Sequence, residues 1–289
     1  MPAAMTRRAA LLGAALVPFA GRPTVAAPAA AVRLAAIERE SGGRLGVAAL
    51  DTGSGRLIAR RPGERFPLCS TFKFLAAAAV LRQVDMGKLR LDRKIRYGTK
   101  DLLSYAPVTK AHVGEGGMRL GDLCAAAIDW SDNTAGNLLL GSIGGPRGLT
   151  RYLRSLGDHV TRLDRTEPSL NSALPGDARD TTTPRAMLHD MQALLLGPAL
   201  ASLSRRQLEQ WLIGDQVGAA RLRAGFPPSW QIGDKTGSGD NGTANTIAIV
   251  WPPDRAPLLV AVYLTGATVS ADARNAAHAE VARLLAKTF

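Results

Sequence analysis

The chain has 289 residues, a formal net charge of +12 and an apolar content of 46%. This composition excludes a disordered chain, and the length allows one large domain or two modest ones with a substantial core. The arginines are interleaved with acids and form no basic stripe with aromatic residues, so the charge does not predict nucleic-acid binding. A mild attraction to anionic small molecules or cell-wall surfaces is all that it indicates.

Residues 1–30 have the layout of an export signal. They contain no acid, Arg7 and Arg8 precede an apolar run, and small residues follow. The run is too short to span a bilayer as a helix. We therefore expect a Sec or twin-arginine signal that is removed, leaving a periplasmic or secreted protein with no segment inserted in a membrane.

The predicted elements begin with a short amphipathic helix that contains Leu34 and Ile37. Two strands around the turn at residues 52–55 follow, and from Ser70 to Gln216 the pattern is mostly helical. Residues 164–184 are the exception, because their three prolines and many turn formers predict a long loop. Loops of this length in a compact domain are usually functional or disordered.

After about residue 218 the pattern changes back to strands. Three strand-like segments follow, and Asn241 and Gly242 predict a hairpin turn between the first two. A final helix carries Val281, Leu284 and Leu285 on one face.

Strands at both ends of the chain therefore bracket a helical middle. This order predicts an α/β (α+β) fold with a five-stranded antiparallel sheet, formed from both chain ends and covered by helices. Residues 31–62 and 218–289 would form this α/β domain, and residues 63–217 an all-helical domain that includes the loop. A cleft between the two is the expected active site.

Ser70 and Lys73 form the first candidate site. Residues three apart in a helix share a face, so Lys73 can reach the Ser70 hydroxyl. A lysine in a dry site near a second cation has a lowered pKa and could take the serine proton. The alternative is a chance Ser-x-x-Lys sequence.

Ser131, Asp132 and Asn133 form the second candidate. These residue types are preferred helix N-caps, which is the structural alternative. Functionally, the Ser131 hydroxyl could shuttle a proton to a leaving group, and the Asn133 amide could hydrogen-bond a substrate amide.

Lys235, Thr236, Gly237 and Ser238 form the third candidate. They are either a strand end with a glycine-rich turn or an edge strand that pairs with an extended substrate. In the second case Lys235 and Thr236 would face an anionic group, and the Ser238 backbone N–H would stabilise an oxyanion.

Glu167 and Asn171 form the fourth candidate, within the long loop. Glu167 is either a solvated loop acid or a general base. In the second case, Asn171 would help Glu167 to hold a water molecule.

The four motifs together, in this order, resemble those of the class A serine β-lactamases, and the similarity extends over essentially the whole mature length. The resemblance implies that Ser70 is the acylated nucleophile and that the backbone N–H groups of Ser70 and Ser238 form the oxyanion hole. It further implies that Lys73 or Glu167 activates Ser70, that Ser131 protonates the lactam nitrogen, and that Glu167 drives deacylation.

The resemblance also implies the residues that bind the substrate. Arg165 and Asp180 would form an ion pair that pins the loop. The substrate contacts would come from the cleft-rim aromatic Tyr105, the accessory cation Arg221, and Asn133, Asn171, Lys235, Thr236, Gly237 and Ser238.

Cofactors and metals are not expected. The four histidines have no metal-ligand spacing, and Cys69 and Cys124 need not pair. The resemblance places Ala77 and Gly239 where some members of the family carry the partner cysteines. We therefore expect two free thiols, a feature that weakens a carbapenemase interpretation.

The predicted function is hydrolysis of penicillins and cephalosporins, which are small-molecule substrates. The protein is expected to be a monomer. A DD-peptidase or penicillin-binding protein is the main alternative, and Glu167 distinguishes the two because it would release the acyl-enzyme. A β-lactam sensor would need a membrane tether or an additional domain. A general esterase would not need Lys235, Thr236 or the loop.

Overall fold

The computed structural model describes residues 28–289. The predicted export signal therefore lies, except for its last three residues, outside the described residues. None of the helices in the described part combines the length and apolar character needed to cross a bilayer.

The described residues contain eight α-helices, which pack on the sheet or on one another. Their bounds are α1 (Pro28–Ser41), α2 (Phe72–Asp85), α3 (Leu120–Asp129), α4 (Asn133–Ser142), α5 (Gly145–Ser155), α6 (Pro184–Leu195), α7 (Ser202–Ile213) and α8 (Ala271–Thr288). Helices α2 to α7 all lie within the range from Ser70 to Gln216 that was predicted to be mostly helical. Helix α2 shows no polar face from Phe72 to Leu81, because every residue in this range is buried.

Five strands form one antiparallel sheet in the order β2-β1-β9-β8-β7, which confirms the predicted fold class. The chain's first strand pairs with its last, with Val47 opposite Val262. Asn241 and Gly242 both have positive φ, 51° and 62°, as the predicted hairpin turn requires. The strands are β1 (Arg44–Asp51), β2 (Leu57–Arg60), β7 (Gln231–Gly239), β8 (Thr243–Trp251) and β9 (Leu258–Thr265).

The sheet separates two apolar clusters. Val47 and Ala49 point to the cluster shared with α1 and α8, whereas Ala48 and Leu50 point to the larger cluster shared with α2 and α6. Because successive side chains of a strand point to opposite faces, β1 contributes to both. This two-sided burial explains why the strands read as continuous apolar runs.

Two short strand pairs were not predicted from the sequence. They are β3 (Phe66–Pro67) with β6 (Thr181–Thr182), and β4 (Lys94–Ile95) with β5 (Met118–Arg119). Strands of two residues carry no detectable period. The first pair matters for the site, because it joins the end of the long loop to the segment just before Ser70.

Candidate active site

Ser70 lies in a 3₁₀ turn, Cys69–Thr71, that leads directly into α2. Cys69 has φ of 44°, a conformation that is uncommon for a residue other than glycine. The Thr71 hydroxyl donates to the Leu68 carbonyl at 2.6 Å and closes the turn. The turn and helix together place Ser70 and Lys73 on one face, with Nζ 2.9 Å from Oγ.

Lys73 is fully buried and surrounded by acceptors. Gly136 on α4 makes room for it, since a Cβ there would lie 2.8 Å from Lys73 Cε. Burial lowers the pKa of Lys73, and the nearby Glu167 carboxylate opposes the shift. Nζ contacts four oxygens: Ser70 Oγ at 2.9 Å, Ser131 O at 2.7 Å, Asn133 Oδ1 at 2.6 Å and Glu167 Oε1 at 3.1 Å.

Glu167 approaches Ser70 from the loop. Ser70 Oγ donates to Glu167 Oε1 at 3.2 Å, and Asn171 Nδ2 donates to the other carboxylate oxygen. The backbone of Glu167 is held by Asn137 on α4, which accepts from its N–H at 2.9 Å and donates to its carbonyl at 3.0 Å. Both ends of the glutamate are therefore positioned by asparagines.

The ends of the loop are tied together by Asp180. Its carboxylate accepts from Arg165 Nε at 2.6 Å and from the backbone N–H groups of Asp164 and Arg165. Asp180 is 1% exposed, so solvent screens the pair little. The Asp180 carbonyl also accepts from the Leu68 N–H at 2.8 Å, which connects the loop to the nucleophile's segment.

Ser131 and Lys235 meet from opposite walls of the site. Ser131 has φ of 56°, and Asp132 next to it is buried and caps α4 by accepting from Ala135 N–H. Lys235 Nζ donates to Ser131 Oγ at 2.9 Å. Burial, then the charge of Lys73, lowers the pKa of Lys235 to about 7.

Strand β7 lies at the edge of the sheet and close to the nucleophile. A Cβ on Gly237 would be 3.1 Å from Ser70 N, and one on Gly239 would be 2.7 Å from Cys69 Sγ. These two glycines let the strand approach the Ser70 turn. Thr236 and Ser238 of this edge strand line the cleft.

Arg221 braces the outer part of this strand. Its guanidinium donates to the carbonyls of Gly237 and Asn245, at 2.8 and 2.7 Å, and to Ser238 Oγ at 2.7 Å. Burial lowers the pKa of Arg221 to about 10. Arg221 thus places a cation at the wall of the cavity, next to Ser238.

The site is a cavity of about 340 Å³. Nine of the twelve predicted site residues line it, and the three remaining ones, Lys73, Glu167 and Lys235, are buried beneath its floor. Tyr105 stands at the rim, 47% exposed, and its hydroxyl donates to the Trp130 carbonyl. The lining residues are Ser70, Tyr105, Ser131, Asn133, Asn171, Val217, Arg221, Thr236, Gly237 and Ser238.

Three residues of the site were missed from the sequence. Val217 lines the cavity, Asn137 holds Glu167, and Asn245 donates to the Pro67 and Leu68 carbonyls next to the nucleophile. Asn137 lies four residues after Asn133 on α4, and residues with this spacing share one face of a helix. This spacing is the sequence signal that could have identified Asn137. Neither Val217 nor Asn245 carries a local sequence signal.

The predicted thiols are both free and both buried. Burial raises the pKa of Cys69 and Cys124. A buried thiol that stays protonated is a poor nucleophile.

A serine hydroxyl in contact with a lysine and a glutamate, beside an edge strand with a buried cation, defines an enzyme of the serine acyl-transfer class. A model of the β-lactamase enzyme family matches residues 29–289. The chain is 49% identical to β-lactamase CTX-M-8 of Citrobacter amalonaticus, over 88% of this chain and 87% of that protein. It is also 49% identical to β-lactamase AST-1 of Nocardia asteroides, over 94% and 87%.

Solved structures agree with these relatives. The ancestral (GNCA) class A β-lactamase is 60% identical, has a TM-score of 0.89, and is matched over 90% of this chain and all of that one. The chain belongs to the class A serine β-lactamases, and it is a β-lactam hydrolase.

Proposed function

We propose that the chain hydrolyses penicillins and cephalosporins through an ester on Ser70, and thereby gives resistance to these antibiotics. The observation that carries the proposal is the double contact of Ser70 Oγ, 2.9 Å from Lys73 Nζ and 3.2 Å from Glu167 Oε1. A hydroxyl between a cation and a carboxylate can lose its proton to the carboxylate while the cation stabilises the alkoxide.

Glu167 receives the Ser70 proton in the acylation step. Lys73 donates to the Ser131 carbonyl and to Asn133 Oδ1 as well as to Ser70, and these acceptors favour its charged form. Lys73 is therefore the cation of the resting site. It can accept the Ser70 proton only as the neutral amine, which burial favours once the Glu167 carboxylate is removed. The backbone N–H groups of Ser70 and Ser238 stabilise the oxyanion, a contribution of ~10²–10³ in rate per donor.

The β-lactam nitrogen leaves with a proton from Ser131. The proton that Glu167 took from Ser70 then passes through Lys73, which contacts both residues, and restores the Ser131 hydroxyl and the Glu167 carboxylate. Lys235 donates to Ser131 Oγ, which leaves the Ser131 hydroxyl proton free to point to the nitrogen. The substrate carboxylate binds near Lys235, Thr236 and Ser238, with Arg221 behind them. Asn133, Gly237, Asn171 and Tyr105 complete the contacts along the cleft.

Deacylation uses Glu167 again. The carboxylate, oriented by Asn171, takes a proton from a water that attacks the Ser70 ester. This step separates a hydrolase from a DD-peptidase, in which such a base is absent. Neither step requires a metal or a cofactor.

The two domains, export and oligomeric state complete the proposal. Residues 31–62 with 218–289, and residues 63–217, form the two domains that flank the cleft. The signal within residues 1–30 directs the chain to the periplasm or the medium, where it works as a monomer.

The nucleophile is tested by mass spectrometry with a slowly hydrolysed β-lactam. We expect one adduct on the peptide that contains Ser70, and none in Ser70→Ala, whose thermal unfolding should match that of the wild type. An adduct on Ser131 or Ser238 would contradict the assignment.

A further inference from the structure

Two buried aspartates, Asp215 and Asp234, lie close enough to Lys235 to affect its charge, and the mechanism above uses neither. Asp215 follows α7 and is 7% exposed, and Asp234 precedes Lys235 on β7 and is fully buried. Asp215 Oδ1 accepts from the Val217 N–H at 3.0 Å, and Asp234 Oδ1 accepts from Arg223 Nε. Within residues 28–289, neither Oδ2 has a donor.

The two orphan oxygens face each other next to Gly218. A Cβ on residue 218 would lie 2.2 Å from Asp234 Oδ2 and 2.3 Å from Asp215 Oδ2. Glycine is therefore required at this position, because the two oxygens occupy the space that a side chain would need. Two ionised carboxylates cannot share a dry contact at low cost, whereas one proton between them satisfies both oxygens.

The surroundings favour a single negative charge on the pair. Burial raises the pKa of Asp215 and of Asp234, and at Asp234 the charge of Asp215 adds to the rise. Arg223 forms an ion pair with Asp234, which favours the ionised form of that residue. The other charged groups around the pair are Lys235 on β7, Asp129 at the end of α3, Arg221 and, behind Lys235, Lys73.

Lys235 depends on these carboxylates for its charge. In the described residues its amine contacts only neutral oxygens, Ser131 Oγ and the Thr236 carbonyl, and forms no direct ion pair. Lys73 and Arg221 both disfavour its charged form, and Asp215 and Asp234 oppose them. The buried pair is therefore a source of negative charge that can keep the Lys235 amine protonated.

We propose that Asp215 and Asp234 share one proton and act as positioning residues that keep Lys235 charged for the substrate carboxylate. The proposal rests on the role given to Lys235 above. As the pH rises, the shared proton leaves and the pair gains a second negative charge. That charge stabilises the Lys235 ammonium over the range in which it would otherwise be lost.

The test is Asp215→Asn. The amide has the volume of the carboxyl and can donate to Asp234 Oδ2, so it fixes the pair at one negative charge at every pH. We expect the ratio of kcat/KM between variant and wild type to fall at least tenfold from about pH 6 to about pH 9, with KM carrying the loss. A ratio that is constant over this range, or a loss in kcat alone, would overturn the proposal.

An infrared difference spectrum reports the proton directly. Wild type minus Asp215→Asn should show a carboxylic-acid C=O band at about pH 6 that disappears at higher pH. Acids elsewhere, such as the buried Asp190, cancel in the difference. The absence of this band would show that the pair holds no shared proton.

Two further variants complete the experiment. Asp254→Asn is the control, because it removes an exposed acid. Its kcat/KM relative to wild type should not change between about pH 6 and about pH 9. If Asp215→Asn fails to fold, Asp234→Asn places the amide on the other side and should give the same alkaline loss. The two proposals can be told apart. If the wild type is not acylated at Ser70, the proposed hydrolytic mechanism is wrong. If the wild type hydrolyses β-lactams normally but the ratio of kcat/KM between Asp215→Asn and wild type does not change with pH, only the role of the aspartate pair is wrong.

Discussion

The Lys235 amine donates a 2.9 Å hydrogen bond to the Ser131 hydroxyl, and 104 residues separate the two in sequence. This contact joins β7 to the turn before α4 across the cleft. The Lys73 amine donates a second hydrogen bond to Ser131, to its backbone carbonyl. Ser131 is therefore held by both lysines of the site. The substrate carboxylate and the lactam nitrogen would thus be recognised by groups that already contact each other.

Glu167→Ala should stop the reaction at the acyl-enzyme. Lys73 remains 2.9 Å from Ser70 and supports acylation, whereas the base for deacylation is lost. We expect deacylation to slow by at least ~10²–10⁴, with a stoichiometric burst and a mass shift of one intact β-lactam. Turnover of penicillin near the wild-type rate would show that Glu167 is not the base.

Arg165→Ser should loosen the loop and lower activity, or broaden it toward bulky cephalosporins. An exposed ion pair is worth only ~0–1 kcal/mol, but the Asp180 carboxylate is buried and would lose its charged partner, so a larger effect is expected. Asp180→Asn should act in the same direction. Unchanged thermal stability and unchanged substrate profiles in both variants would disprove this function of the pair.

Asn137→Ala should impair deacylation without touching the carboxylate. Asn137 holds the Glu167 N–H and carbonyl, so its loss displaces the base and leaves two backbone groups unpaired, at a cost of ~1–3 kcal/mol each where buried. Pre-steady-state kinetics should show slower deacylation with acylation less affected. Equal slowing of both steps would point to a general loss of structure.

Cys69→Ala and Cys124→Ala should each leave activity within a few fold. The two thiols are free, so no disulfide stabilisation of the usual ~2–4 kcal/mol can be lost. Thiol titration of the unfolded, unreduced protein should find two groups. Finding none would require a disulfide.

His278→Gln should reduce the loss of stability in acid. Burial, then Arg221, lowers the pKa of His278 to about 3. The unfolded chain binds a proton near pH 6.5 and the folded protein only near pH 3, so stability falls as the pH drops through this window, by up to ~4 kcal/mol. Urea unfolding at several pH values should show a shallower slope for His278→Gln, while the exposed His159→Gln should keep the wild-type slope.

The fold class and most of the chemical groups of the site followed from the amino-acid sequence alone. The change from strand to helix and back to strand predicted the sheet, because the apolar period reports which faces are buried. The four motifs supplied ten site residues, and the family resemblance added Tyr105 and Arg221. Nine of these twelve residues line the cavity, and the other three are buried.

The contacts between groups that are far apart in sequence became visible only in the folded protein. Asn245 and the Asp215–Asp234 pair carry no local pattern, because their partners come from other elements of the fold. The two-residue strands β3 and β6 were likewise invisible to periodicity, yet they hold the loop against the nucleophile. Burial follows from composition and period, whereas a hydrogen bond between distant residues depends on the register and angle at which whole elements pack.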